Sequence, residues 1–221
     1  MKKNVLILLL ISTLSFSQIT KELGTFTKVT SFDKIDVTLI ESSFNKIIIN
    51  GHDSKSVEII NKKEELKIRM PITKILQGDE ISVIIYYKNL TSVEANEGSS
   101  ISSKTIIKAT IFDVIAKEGA KINININVEK LNIKATSGAI ISIQGKAKNQ
   151  DVLINSGAVL NASNLTTNQT TITVNSGGNA QVYATDLVDA KVRAGGNIII
   201  FGKPNQINQK IIAGGNIKES K

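Results

Sequence analysis

The stretch VIAKEGAKINININVEKLNIKATSGAIISIQGKAKNQDVLINSGAVL, residues 114–160, decides the fold because it repeats one pattern at a fixed interval. A glycine returns at Gly119, Gly138 and Gly157, 19 residues apart each time. Apolar residues recur at the same number of positions before and after each glycine. Spacings of 18 to 21 residues extend the pattern to seven glycines in all: Gly98, Gly119, Gly138, Gly157, Gly177, Gly195 and Gly214.

The residues around these glycines fall into columns. Three positions before the glycine stand Ala95, Ala116, Ala135, Ile154, Val174, Val192 and Ile211, and three positions after it stand Ile101, Ile122, Ile141, Leu160, Ala180, Ile198 and Ile217. Apolar residues two apart indicate strands with alternating faces, and a period near 19 without helical spacing indicates stacked coils. We therefore predict an all-β parallel β-helix, with coils of about 19 residues that turn at each glycine. A leucine-rich repeat has a similar period, but its leucine and asparagine consensus is absent.

The first 17 residues have the pattern of a secretory signal peptide. Lys2 and Lys3 precede an apolar run, and Ser15-Phe16-Ser17 offers a cleavage site before Gln18. The apolar run is too short to span a membrane, and no cysteine follows that could carry a lipid. We expect an exported protein without disulfides, located in the periplasm, at the outer surface or outside the cell.

The rest of the chain, 18–221, is predicted to form a single β-helix domain. Short apolar runs indicate strands at 32–39, 46–50, 57–60, 66–70 and 81–87, with a loop at 71–78. Their spacing is looser than that of the later coils. We therefore predict irregular first coils and a cap over 18–90, and regular coils over 91–217.

The order of these segments resembles a known family. Five segments are similar to the head GIN domain, an adhesin-type family of secreted proteins from Bacteroidetes-type bacteria. They are Phe32-Asp33-Lys34-Ile35-Asp36-Val37, the runs at 47–51 and 66–68, the strand at 81–87 and Glu97-Gly98-Ser99. The resemblance implies a right-handed parallel β-helix, export and no established enzymatic activity. It supplies no catalytic or binding residues.

Glu97 and Glu118 stand directly before the corner glycine in adjacent coils. Stacked coils would place their backbones about 4.8 Å apart. Two such carboxylates could share a proton, bind calcium or serve glycoside hydrolysis. Lys117 and Lys121 are nearby in sequence, however, and favour a solvated, screened pair.

Asparagines form a second candidate binding surface. Asn123, Asn125 and Asn127 alternate with isoleucines, so one face of that strand is all asparagine. Such a face could bind a sugar, but solvated side chains or ladders along the stack are favoured. Asn96, Asn155 and Asn175 share one column. The chain has three tyrosines and no tryptophan, which gives little support for stacking on sugars.

The remaining sequence features argue against several other classes. His52 is the only histidine, so we expect a turn residue and no metal site. The net charge of +8 suggests an anionic partner, but the lysines are dispersed and not interleaved with aromatic residues, so no nucleic acid is expected. Nucleophile-elbow and phosphate-loop motifs are also missing.

Two functions remain open. The first is a non-catalytic adhesin-like or cell-surface binding and assembly protein, with a glycan or a surface protein as partner and no cofactor. The second is a polysaccharide lyase or hydrolase on the same fold. That chemistry needs clustered Asp, Arg and Lys, whereas the coils offer Arg193 with Asp186 and Asp189 nearby, so the first function is favoured. The last coil also exposes strand edges, which predicts self-association through coil ends.

Overall fold

The computed structural model describes residues 18–220, and its regular structure is β-strand apart from two single-turn 3₁₀ segments at Ser54–Ser56 and Ile72–Lys74. The predicted signal peptide lies outside the described residues. The strands are β1 Gln18–Glu22, β2 Lys28–Ser31, β3 Asp36–Glu41, β4 Lys46–Asn50, β5 Glu58–Lys62, β6 Glu65–Arg69, β7 Ser82–Tyr87, β8 Ser92–Ala95, β9 Ser100–Ser103, β10 Ile107–Ala116, β11 Lys121–Ala135, β12 Ile140–Ile154, β13 Val159–Asn161, β14 Leu165–Thr166, β15 Gln169–Asn175, β16 Asn179–Tyr183, β17 Leu187–Arg193, β18 Asn197–Phe201, β19 Gln206–Ile212 and β20 Asn216–Glu219.

The coils from β8 onward stack in parallel with the register that the glycine columns predict. Ile122 aligns with Ile101 on one side and Ile141 on the other, and the stack continues through Leu160, Ala180, Ile198 and Ile217. Most of these side chains are buried in one continuous apolar core. The predicted β-helix is confirmed as a β-solenoid of about seven coils.

Each glycine corner is a type I′ turn, with positive φ at two consecutive residues. Ser137 has φ 55° and Gly138 has φ 71°, and Ala139 N donates to Thr136 O at 3.2 Å. The Gly138 amide is then free to donate to Ser156 O of the next corner, at 3.1 Å. The sequence indicated the glycine but not the left-handed residue before it, because serine, glutamate and alanine all occupy that position.

The residue after each corner glycine is small because its side chain faces the core. Ala120, Ala139 and Ala158 are fully buried. At Gly178, an added Cβ would lie 2.8 Å from Ile154 Cγ2 of the preceding coil. A larger side chain would therefore hold neighbouring corners apart.

The first coil of the chain is not the first coil of the stack. β2 lies between β6 and β8, and β3 lies between β7 and β9, all parallel. The coil built from β6 and β7 therefore stacks outside the coil that precedes it in sequence. Antiparallel strands then cover this end: β4 pairs with β7, β1 with β4 and β5 with β6.

The predicted continuous strand at 32–39 is wrong. Asp33 and Lys34 have φ 59° and 63° and form a corner like those of the later coils, with Ile35 N donating to Phe32 O at 3.2 Å. Lys34 N continues the corner ladder to Glu97 O at 3.0 Å. The corner was missed because a lysine stands where every later coil has glycine.

Candidate functional site

The solenoid presents an outer surface with very little charge on those strands from β9 to β18 that follow the glycine corners. We call it the amide face. Its 16 outward residues come from β9, β11, β12, β13, β16 and β18, and Lys121 is their single charge. They are Ser100, Ser102, Lys121, Asn123, Asn125, Ile140, Ser142, Gln144, Val159, Asn161, Asn179, Gln181, Tyr183, Asn197, Ile199 and Phe201.

The strands that precede the corners carry a surface of opposite character, which we call the charged face. Seven of its 14 outward residues are charged. They are Ser92, Glu94, Asp113, Ile115, Asn132, Lys134, Asp151, Leu153, Thr171, Thr173, Asn175, Asp189, Lys191 and Arg193. Glu94 links coils by accepting from Lys28 and Lys117, each at 2.7 Å. Burial opposes its ionisation, but the two lysines outweigh it and lower the pKa of Glu94.

Aromatic side chains lie at both ends of one outward column that runs along the amide face. Tyr183 and Phe201 align with each other at one end, and both are half-buried. At the other end Tyr86 lies 5.6 Å from the ring of Phe44, and Lys46 Nζ sits 4.8 Å from the Tyr86 centroid. Phe44 is 46 % exposed. The sequence did not reveal this arrangement, because these residues are far apart in the chain.

The three predicted asparagines of β11 all face outward, with Asn123 and Asn127 exposed. Their aligned neighbours are not asparagines: Asn123 meets Ser102 and Ser142, and Asn125 meets Gln144. Asn127 lies past the bend, in register with Lys108 and Lys146.

Asparagine ladders occur elsewhere in the stack. Asn175 Nδ2 donates to Asn155 Oδ1 at 2.6 Å, in the column that the sequence predicted, and Asn197 donates to Asn179 at 2.7 Å. Asn96, at the N-terminal end of the first column, is buried. Asn123 and Asn125 are not held in such a ladder, so their amides face solvent with both donor and acceptor atoms.

The structure brings Glu97 and Glu118 to one corner column and adds Asp33 as a third carboxylate. Asp33 is 3 % exposed, and its two oxygens accept from Met70 N and Leu76 N, both at 2.9 Å. Lys117, expected to screen Glu118, pairs with Glu94 instead. Asp33 thus holds the loop after β6, and both of its oxygens are engaged by backbone amides.

Glu97 lines a cleft of about 320 Å³ together with Asp33 and Arg69. Partial burial and the negative charges of Asp33 and Glu118 raise the pKa of the Glu97 carboxyl above its ordinary value. The folded chain therefore binds a proton more readily at Glu97 than the unfolded chain does. The stability contributed by this proton is present below the ordinary carboxyl pKa and is lost as pH rises through the raised value.

We expect Glu97→Gln to raise the melting temperature at pH 7, because it removes this repulsion, and the gain should vanish near about pH 3. Thermal unfolding across that pH range measures it. Glu64 also has a positive φ and is exposed, so Glu64→Gln is the control and should change little. A gain that persists in acid would contradict the electrostatic cause.

Arg193 is not brought together with the aspartates that a lyase would use. Asp189 precedes it by four residues on β17, about 13 Å along an extended strand. Asp186 lies at the other end of that strand and accepts from Thr185 Oγ1 at 2.9 Å and Asn168 Nδ2 at 3.2 Å.

His52 is exposed in the turn after β4. Its neighbour Asp53 is paired with Lys74 at 2.7 Å, which lowers the pKa of Asp53. Among residues 18–220, no group of three or more His, Cys, Asp or Glu side chains could hold a metal ion. The described chain also has no helix long and apolar enough to cross a membrane.

The succession of irregular first strands and glycine-cornered coils matches a family model over residues 25–204, described as "Putative auto-transporter adhesin, head GIN domain". The chain belongs to the head GIN domain family. The match spans both the reordered first coils and the regular coils, and it confirms the resemblance noted from the sequence. A search of curated proteins finds no match.

Solved structures of other proteins share this head GIN architecture. A "putative adhesin" from Bacteroides fragilis is 18 % identical with a TM-score of 0.85, covering 94 % of this chain and 98 % of its own. One from Parabacteroides distasonis is 20 % identical with a TM-score of 0.73, covering 93 % and 97 %. A "putative lipid binding protein" from the same species is 13 % identical with a TM-score of 0.71, again covering 93 % and 97 %. At these identities the likeness shows the fold alone.

Proposed function

We propose that this head GIN domain protein is an exported, non-catalytic binding module of adhesin type that engages its partner through the amide face. The observation that carries the proposal is the contrast between the two surfaces: one charge among 16 outward residues against seven among 14. Export is supported by the signal-like residues 1–17 and by the adhesin description of the family.

A polysaccharide lyase or hydrolase finds little support in the same structure. The acid and base of a glycosidase must both reach the substrate. Here Asp33 is buried and holds two backbone amides, while Glu97 lies over it at the corner. Arg193 lacks a nearby acidic partner along β17. These placements favour structural roles for the candidate catalytic residues.

The proposed function is tested by applying the chain from Gln18 onward to an array of bacterial and host glycans and to intact cells, with released sugars monitored in the same run. We expect attachment without any released product. Released product that requires Glu97 or Arg193 would support the enzyme instead. Attachment to none of these surfaces would contradict the binding role.

We also propose that the bare edges of β19 and β20 pair with a second copy of the chain. Ile211 belongs to the core column but is 47 % exposed here, and Ile212 beside it is also exposed. Unpaired strand edges next to apolar side chains favour association.

The expected result is a concentration-dependent dimer in sedimentation velocity, which Ile211→Lys should convert to a monomer. Ile140→Lys, on the amide face, should leave the dimer intact because Ile140 lies far from this edge. A wild-type chain that stays monomeric at high concentration would contradict the pairing.

A further inference from the structure

We infer that the ligand of the amide face is an uncharged, extended polysaccharide that lies along the solenoid axis, clamped by aromatic rings at both ends. This inference rests on the proposed function and names the ligand class of the same face. It is carried by the position of the aromatic residues, the chemistry of the residues between them and the distribution of charge.

The aromatic residues define a long binding track. Tyr86 aligns with Ile40, the exposed Lys104 stacks next to Ile40, Asn125 aligns with Gln144, and Tyr183 aligns with Phe201. The neighbouring column is paired in every coil from Ser102 through Asn123, Ser142 and Asn161 to Gln181, and it places these pairs in one line. Six strand spacings separate Tyr86 from Tyr183, about 29 Å. That length suits an extended chain of several sugar units and exceeds a mono- or disaccharide.

Tyr183 is placed for stacking by a glycine in the next coil. An added Cβ at Gly202 would lie 2.7 Å from Tyr183 Cε1 and 2.9 Å from Cδ1, so the ring occupies space that a side chain would otherwise fill. The Tyr183 ring therefore covers the backbone at Gly202 and keeps part of its own surface in solvent. Aromatic rings offer apolar surface to the C–H face of a pyranose.

The residues between the rings suit hydroxyl groups. Within residues 18–220, no hydrogen bond uses the side-chain amide of Asn123, Asn125, Gln144 or Gln181. An amide both donates and accepts, as does a sugar hydroxyl. A protein partner would instead favour arginine beside the apolar and aromatic residues, and the amide face has no arginine.

Charge also selects an uncharged ligand. The chain carries a net charge of +8, and few of its lysines (Lys46, Lys104 and Lys121) lie along the track, so an anionic polymer would be drawn mainly to the lysines elsewhere. Such binding weakens as salt screens it. Recognition by amides and rings should not depend on salt in this way.

The test measures binding of the chain from Gln18 onward to immobilised neutral polysaccharides (glucan, mannan, xylan and galactan) and anionic ones (alginate, pectate and heparin), at low and high salt. We expect binding to at least one neutral polymer that is unchanged by salt. Tyr183→Ala should weaken it about tenfold, as should the charge introduced by Asn123→Asp combined with Gln144→Glu. Thr171→Glu, at an exposed site of the charged face, is the matched control and should leave binding unchanged.

Because Tyr183 is half-buried, thermal unfolding checks that Tyr183→Ala is folded, and the Asn123→Asp, Gln144→Glu variant tests the face without altering packing. Binding confined to anionic polymers, or binding that the amide-face variants do not weaken, would overturn the inference. Attachment to cells without binding to any polysaccharide would also overturn it while leaving the proposed function standing. Release of sugar products would contradict the proposed function itself.

Discussion

Replacing Asp33 with alanine is expected to lower the free energy of unfolding by about 3 kcal/mol or more, the largest effect of any side chain at the corners. The carboxylate accepts from Met70 N and Leu76 N, and a bond to a charged group contributes roughly 1.5–3 kcal/mol. Alanine would leave two backbone amides without their acceptor. It would also place a residue with no local hydrogen bond at φ 59°.

Chemical denaturation of Asp33→Ala, Asp33→Asn and wild type measures this effect. The Asn variant keeps one acceptor oxygen and tolerates the left-handed conformation, so we expect a smaller loss. Asp189 is exposed on the charged face, and Asp189→Ala should change stability by less than about 0.5 kcal/mol. Equal stabilities for Asp33→Ala and wild type would contradict the role given to this carboxylate.

Replacing Gly145 with alanine should lower the free energy of unfolding by about 3–5 kcal/mol, because the cost of backbone strain and the cost of a backbone clash are summed at this position. Gly145 has φ 113°, and an added Cβ would lie 2.1 Å from Ile126 O of the preceding coil. That carbonyl belongs to the parallel ladder between β11 and β12 and cannot move without separating the two coils.

Gly138 in the same coil provides the matched comparison. Its φ is 71°, but nothing lies within 4 Å of an added Cβ, and Ala194 already occupies a left-handed corner position at φ 54°. Gly138→Ala should therefore cost only about 1–2 kcal/mol. Thermal unfolding of both variants measures the two losses of stability. A larger loss at Gly138 than at Gly145 would contradict the coil geometry described here.

The regular coils could be predicted from sequence because one local rule repeats in each of them. The chain must turn at a left-handed position, glycine fits there, and the flanking apolar columns follow. The columns through Ile122 and Ala116 have the register that the spacing predicted. Coil stacking is a nearest-neighbour interaction, so local pattern and long-range pairing agree.

The first coils could not be predicted in the same way. Lys34 replaces the corner glycine, and the position of β2 between β6 and β8 depends on which coil edges meet in space. The amide face and the charged face could not be predicted from the sequence either. Each strand alternates outward and inward residues, but only the stacked register shows that Asn123, Asn125 and Gln144 lie together on one side while charges gather on the other.

The most direct test of ligand binding at the amide face is whether a bound polysaccharide protects this face and not the charged face. The chain contains no cysteine, so Asn161→Cys and Thr171→Cys each introduce one exposed thiol, on the amide face and on the charged face respectively. Maleimide labelling rates are measured with and without an excess of the neutral glucan, mannan, xylan and galactan mixture. We expect slower labelling for Asn161→Cys alone. Protection confined to Thr171→Cys, or no protection at either position, would contradict ligand binding at the amide face.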